Sequence, residues 1–205
     1  MVWEEFLEPY RQAVEELKVK LKGIRRQFEL EGTHSSIEFV TGRVKPIQSI
    51  LDKAAKRNIS LDELETKMED IAGLRIMCQF VDDINKVVQL LRSRKDFTII
   101  EEKDYITNKK PSGYRSYHVI IEYPVETIHG EKKVLAEIQI RTLAMNFWAT
   151  IEHSLNYKYN GKVPEDINFR LRRAAEAAFL LDEEMSQIRE EIREAQKVFT
   201  NKKDQ

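Results

Sequence analysis

Apolar positions recur along this chain with two different periods, and the change of period divides it into parts. From Trp3 and Leu7 through Tyr10, Val14, Leu17 and Leu21 to Ile24 and Phe28 they step by four and three residues in turn, the spacing of an a/d seam on one long helix. The same alternation returns from Leu171 and Ala174 through Ala178, Leu181, Met185, Ile188, Ile192 and Ala195 to Phe199, with Glu, Arg and Lys on the other faces. Two helices with such seams are expected to pack on each other or across a subunit boundary. Between them the period drops to two. Glu137-Ile138-Gln139-Ile140-Arg141 alternates strictly, which predicts a strand with Ile138 and Ile140 facing a core and Glu137, Gln139 and Arg141 facing the other way. Strands are expected near Ile71 to Phe80, Phe97 to Glu102, Tyr114 to Tyr123 and Lys132 to Arg141. Helices are expected at about Pro46 to Arg57, Asp83 to Ser93 and Leu143 to Tyr157. Pro46 suits a first helical turn, where no amide donor is needed. The polar stretch Thr107 to Gly113 reads as a mobile loop. His129-Gly130 reads as the turn of a hairpin, which would put Tyr114 and His118 on the same sheet as Glu137.

A length of 205 residues suits one compact domain with helical extensions: an N-terminal helix over 1–30, a core over 36–158 and a C-terminal helix over 165–200. The net charge of -1 argues against generic nucleic-acid binding, yet ten Lys or Arg stand against four Asp or Glu between Lys18 and Arg57. That local excess suits a polyanionic ligand such as a nucleoside triphosphate, although a solvated basic face fits the same residues. The single cysteine, Cys78, lies in an apolar run, which reads as a small buried residue rather than a ligand or a disulfide partner. The start lacks a basic region followed by an apolar one, and no apolar run is long enough to span a bilayer, so a cytoplasmic protein is expected.

Three groups carry candidate chemistry. Ser49, Lys53 and Lys56 follow i, i+4 and i+7 from a helix start, behind Arg43 and Lys45, and share a face that could line a polyphosphate. The glycines of a Walker A loop are absent. Asp70, just before a strand, and Glu137 are two carboxylates of the kind that holds Mg²⁺ while phosphate oxygens and water complete the shell. Tyr114 and His118 precede the hairpin, as base-stacking groups or as half-buried strand residues. Trp148, Ile151 and Leu155 step along one helix face and read as core.

Gly113-Tyr114-Arg115-Ser116-Tyr117-His118, then Glu137 to Thr142, then Trp148-Ala149, with Gly42 to Ile50 and Asp70 to Arg75 upstream, closely resemble the synthetase domain of RelA/SpoT-type alarmone synthetases. The short chain is most similar to the small RelQ-type members. The resemblance implies an α+β fold, a mixed sheet of about five strands flanked by helices, nucleotidyltransferase-like, with long terminal helices. It implies transfer of the β,γ-pyrophosphate of ATP to the 3′-hydroxyl of GDP or GTP, with Mg²⁺, releasing AMP and forming (p)ppGpp. By the same resemblance Arg43 and Arg75 sandwich adenine, while Lys45 and Ser49 meet ATP phosphates with Lys53 and Lys56 beside them. Asp70 and Glu137 hold the metal, with Glu137 a candidate to deprotonate the acceptor hydroxyl. Tyr114 stacks on guanine, and Lys110, His118, Gln139, Arg141 and Asn146 contact the acceptor. A homotetramer is implied, with a central cleft for pppGpp as activator matching Lys18, Lys22, Arg25, Glu38, Phe39, Thr41 and Asn146. No His-Asp dipeptide of the hydrolase kind occurs, so a synthetase without a hydrolase region is expected. Two rivals stay open from the residues alone: a Mg²⁺-dependent nucleotidyltransferase, and a noncatalytic oligomer that binds nucleotides or RNA through the basic region.

Overall fold

The computed structural model describes residues 2–158 and 163–203, with the side chains of 156–158 and 198–203 left aside, so the Phe199 end of the second seam lies outside the described residues. Five strands form one mixed sheet in the order β1-β2-β5-β4-β3. They are β1 (Phe39–Val44), β2 (Ala72–Cys78), β3 (Thr98–Asp104), β4 (Tyr117–Thr127) and β5 (Gly130–Thr142). β2 and β5 run parallel, and the other neighbours are antiparallel. Helix α1 (Trp3–Leu30) precedes the sheet, and α2 (Ile47–Arg57), the short α3 (Leu64–Lys67) and α4 (Val81–Arg92) interrupt it. α5 (Leu143–Lys158) and α6 (Glu165–Lys203) follow it.

The period-two segments became strands as their alternation demands. Ile138 and Ile140 are fully buried, while Glu137, Gln139 and Arg141 line the opposite face. The expected hairpin forms: β4 and β5 pair from Tyr117 with Ile140 to Thr127 with Gly130, and Gly130 takes a left-handed φ of 98° that few other residues would tolerate there. One strand escaped the sequence reading. β1 contains a threonine, a glycine and an arginine among only three apolar residues, Phe39, Val40 and Val44, and it is held as an edge by pairing with β2 and by α1 behind it. Gly42 makes that packing feasible, since a Cβ there would sit 2.8 Å from Val14 Cγ1.

The two seams do not pack on each other. Leu7, Tyr10, Val14, Leu17 and Leu21 of α1 are buried against the apolar face of the sheet, among residues such as Val40, Leu74 and Ile76. The sheet supplies a wider apolar surface than one helix can, and burial of roughly 25 cal/mol per Å² favours the larger contact. α6 packs instead on α5 and α4 through Ala175, Phe179, Asp182 and Arg189. Its seam points outward, with Leu181 53% and Ile192 53% exposed. Trp148 is buried against α6 and donates its indole N–H to the Leu171 carbonyl at 2.9 Å. Ile151 and Leu155, expected in the core beside it, are exposed, since no element among the described residues covers that side of α5. Cys78 is buried, and burial pushes its thiol pKa up.

Candidate active site

Strand register places the polar groups of distant segments in rows on one face of the sheet. Arg43, Gly73 and Glu137 form one row across β1, β2 and β5. Thr41, Arg75, Gln139 and His118 form the next, carried on to β4. Gly73 keeps the middle of the first row open: a Cβ there would touch only the Arg43 carbonyl oxygen, at 3.7 Å. The face forms the floor of a cleft of about 550 Å³, to which the turn before β2 adds Asp70, the end of β1 adds Lys45, and α5 adds Thr150, Glu152 and His153. Four Lys or Arg side chains line it (Arg43, Lys45, Arg75, Arg141) against three carboxylates (Asp70, Glu137, Glu152), and the balance favours an anion.

Glu137 belongs to a closed hydrogen-bond ring. His118 Nδ1 lies 2.8 Å from Glu137 Oε1, and Gln139 Nε2 donates to Glu137 Oε2 at 2.8 Å. Arg141 Nη2 donates to Gln139 Oε1 at 2.8 Å and to the Tyr114 hydroxyl oxygen at 2.6 Å. The Tyr114 hydroxyl closes the ring on His118 Nε2 at 2.8 Å. An ionised carboxylate only accepts, so His118 Nδ1 carries the proton of the His118–Glu137 bond. Burial alone would raise the Glu137 pKa, but the bonds from His118 and Gln139 and the field of Lys53 bring it down to about 2. It stands as a fixed anion in the floor of the cleft.

Asp70 is the second fixed anion. Its Oδ2 accepts from Lys53 at 2.6 Å and from Lys45 at 3.0 Å. Burial opposes its charge, and the two ammonium groups outweigh burial, so its pKa lies below the ordinary range. Its Oδ1 is buried with no hydrogen-bond partner. A buried carboxylate oxygen left unpaired is costly, and a hard cation would satisfy it. No group of three or more His, Cys, Asp or Glu side chains suited to a metal occurs among the described residues, so a cation here would take Asp70 and Glu137 and need further oxygens from a ligand. Arg75 is half-buried, its Nε lacks a partner, and burial with the fields of Arg141 and Arg43 lowers its pKa.

The remaining expected site residues divide. Asn146, on α5, accepts from Arg141 Nη1 at 3.5 Å. Lys110 sits over the rings of Tyr105 at 4.3 Å and Tyr114 at 5.1 Å. Tyr114 itself lies in the loop before β4 rather than on it, since Gly113 takes a φ of 91° and the chain turns there. Ser49 and Lys56 are exposed along α2 outside the cleft lining, where only Lys53 of that face reaches Asp70. Thr41 and Phe39 lie on the cleft face of the edge strand, whereas Lys18 packs beside Gly42 on the opposite face. Lys22 is exposed, Arg25 pairs with Glu29, and Glu38 accepts from Gln79 at 2.8 Å. One chain therefore does not gather the expected activator residues into a single cavity. Sequence reading missed Tyr105, whose ring meets Tyr114 and His118 edge-on, and the α5 residues Thr150, Glu152 and His153. Helical spacing would have placed those α5 residues near Asn146, but nothing local marks their face as the cleft wall.

Residues 42–162 match the pattern described as a region found in RelA / SpoT proteins. The chain is 67% identical over 201 residues to the GTP pyrophosphokinase YjbM of Bacillus subtilis, covering 98% of this chain and 95% of that one. The crystal structure of small alarmone synthetase 1 from Bacillus subtilis bound to its product pppGpp superposes with a TM-score of 0.90 at 68% identity, over 93% of this chain and 97% of that one. The same enzyme bound to AMPCPP superposes with a TM-score of 0.83 at 64% identity, over 94% of this chain and 98% of that one.

Proposed function

Since this chain belongs to the RelA/SpoT family and is a (p)ppGpp synthetase, we propose that its cleft holds ATP and GDP or GTP together and passes the β,γ-pyrophosphate of ATP to the acceptor 3′-hydroxyl. The observation that carries the assignment of parts is the row Arg43, Gly73, Glu137, with Asp70 and its unpartnered oxygen beside it. Arg43 and Arg75 hold adenine between guanidinium planes, a contact an ammonium would make less well. Lys45 and Lys53 neutralise the phosphates, with Ser49 in the first turn and Lys56 in the last turn of α2, the helix that carries Lys53. Tyr114 stacks on guanine, and Lys110, His118, Gln139, Arg141 and Asn146 orient the acceptor.

The 3′-oxygen forms its bond to the β-phosphorus as the α,β-bridging bond breaks and AMP leaves with that electron pair. The hydroxyl proton goes to Glu137 Oε1 or Oε2. With its pKa near 2 in the ring, Glu137 orients the hydroxyl by accepting its hydrogen bond and takes the proton late, as suits a loose phosphoryl-transfer transition state. Asp70 and Glu137 would hold Mg²⁺, which supplies charge neutralisation at the transferring phosphates. Positioning of the two nucleotides accounts for the rest.

The outward seam of α6 supports assembly of copies, and a homotetramer is the proposed form, with Lys18, Lys22, Arg25, Glu38, Phe39, Thr41 and Asn146 at a pppGpp activator cleft completed by neighbouring copies. No helix among the described residues is long and apolar enough to cross a membrane; a cytoplasmic location is proposed, and the use of nucleotide substrates supports it. Incubation with ATP, GDP or GTP and Mg²⁺, followed by nucleotide chromatography, tests the reaction. AMP together with ppGpp or pppGpp is expected; free pyrophosphate would mark nucleotidyl transfer, and nucleotide or RNA binding without turnover would mark the noncatalytic alternative.

A further inference from the structure

Helix α6 lies outside the segment that matches the family pattern, yet it grips the loop that presents Tyr114. That loop leaves β3 through Asp104, whose Oδ1 accepts the backbone N–H groups of Ile106 and Thr107 at 2.8 and 3.0 Å. It rejoins the sheet where Tyr105 donates its N–H to the Ser116 carbonyl at 3.0 Å. Between these ties residues 107–112 are exposed, and the sheet by itself offers them little to hold.

α6 supplies the missing grip. Adjacent side chains point to opposite sides, so Tyr114 enters the cleft while Arg115 runs into α6. Arg115 is buried, with its guanidinium carbon 3.8 Å from the centre of the Phe179 ring. Its Nη2 donates to Glu176 Oε2 at 3.2 Å and its Nη1 to the Ala175 carbonyl at 3.5 Å. The same Glu176 oxygen accepts from Lys109 at 3.1 Å, so one carboxylate ties both ends of the Lys110 to Tyr114 segment. Gly113 packs so closely that a Cβ there would sit 2.6 Å from the Ala175 Cβ. α6 is in turn anchored to the end of the catalytic strand, where Thr142 Oγ1 donates to Asp182 at 2.5 Å, and to Trp148.

We propose that Arg115, Glu176 and Phe179 are positioning residues for the acceptor nucleotide, clamping the loop so that Tyr114 and Lys110 are presented to the acceptor before it binds. The proposal rests on the acceptor reading of Tyr114. Preorganising a loop improves affinity by removing the ordering cost from the binding step, and that improvement belongs to the nucleotide that the loop touches. ATP, bound on the Arg43 and Arg75 side, gains nothing from it.

Initial rates test this when GDP or GTP is titrated at saturating ATP, and ATP at saturating acceptor. Glu176→Gln is expected to raise acceptor KM about two- to fivefold, the range of one solvent-facing ion pair. Phe179→Leu should raise it by about two- to tenfold through the lost cation–π contact, and ATP KM should stay level in both. Tyr114→Ala should raise acceptor KM on its own, and adding Glu176→Gln to it should raise it by less than Glu176→Gln does alone, since part of the clamp acts through that ring and only the part through Lys110 is left. Equal rises for both nucleotides, or full additivity in the double variant, would overturn the clamp. If Tyr114→Ala raises acceptor KM while neither α6 variant does, the clamp fails and the acceptor reading stands. If Tyr114→Ala leaves acceptor KM unchanged, the acceptor reading itself fails and takes the clamp with it.

Discussion

Replacing Glu137 by Gln keeps the size of the side chain and removes the charge on which the hydrogen-bond ring is organised. Gln at this position resembles a permanently protonated carboxyl, so the cost of the change can be worked from the proton equilibrium. In the fold the Glu137 pKa falls from 4.5 to about 2, despite burial that works against its charge. That drop corresponds to about 3 kcal/mol favouring the carboxylate over a neutral group, at 1.36 kcal/mol for each pH unit. Because the folded value is the lower one, the stabilisation is complete above pH 4.5 and fades as pH falls toward 2. Urea unfolding without added nucleotide, at pH 7.5, 6 and a series below 4.5, should therefore show Glu137→Gln less stable by up to about 3 kcal/mol at the two upper values. The gap should narrow steadily through the acid series. In parallel, synthesis of (p)ppGpp should drop by about a hundredfold or more, the usual contribution of a positioned acid–base group. A gap that stays constant into acid, or a variant as stable as the parent at pH 7.5, would refute the charge assignment. Turnover near that of the parent would refute the catalytic one.

Asp182 titrates in the opposite sense: burial outweighs the Thr142 hydrogen bond and the Arg115 field and lifts its pKa from 3.8 to about 6. Its ionisation therefore costs stability that is intact at low pH and lost as pH rises through 6, so Asp182→Asn should stabilise by up to about 3 kcal/mol at pH 8 and by progressively less toward pH 4, checked by urea unfolding at both values. Leu17→Ala empties a fully buried position between α1 and the sheet and should cost about 2–5 kcal/mol in the same assay; a loss under 1 kcal/mol would contradict the packing of α1 on the sheet. Lys22→Ala combined with Phe39→Ala should abolish stimulation by added pppGpp at limiting substrate while sparing basal synthesis, because an effector acts only through the state it binds better. Stimulation that survives the pair, or a monomer by light scattering, would overturn the activator cleft.

Backbone periodicity is a local property, and what depended on it was written in the chain. Strict alternation from Glu137 to Arg141 put an acid, an amide and a guanidinium on one face of a strand, because successive side chains of extended backbone must diverge. Four-and-three spacing made Trp3 to Phe28 a helix for the same kind of reason. The motifs around Gly113 to His118 and Glu137 to Thr142 then pointed to the family. Which surface an apolar seam covers is decided by competition among all available surfaces, so the sequence could not say that α1 would choose the sheet or that the α6 seam would stay exposed. β1 carries too weak a pattern to announce itself and exists as a strand through its pairing with β2 and the close approach of Val14 to Gly42. The parallel pairing of β2 with β5 brings Asp70 and Arg75 beside Glu137, and that register joins segments far apart in the chain. The charge state of Glu137 and the grip of Glu176 on the Tyr114 loop come from partners on other elements. Electrostatics and packing act through space, and only the folded chain sets those distances.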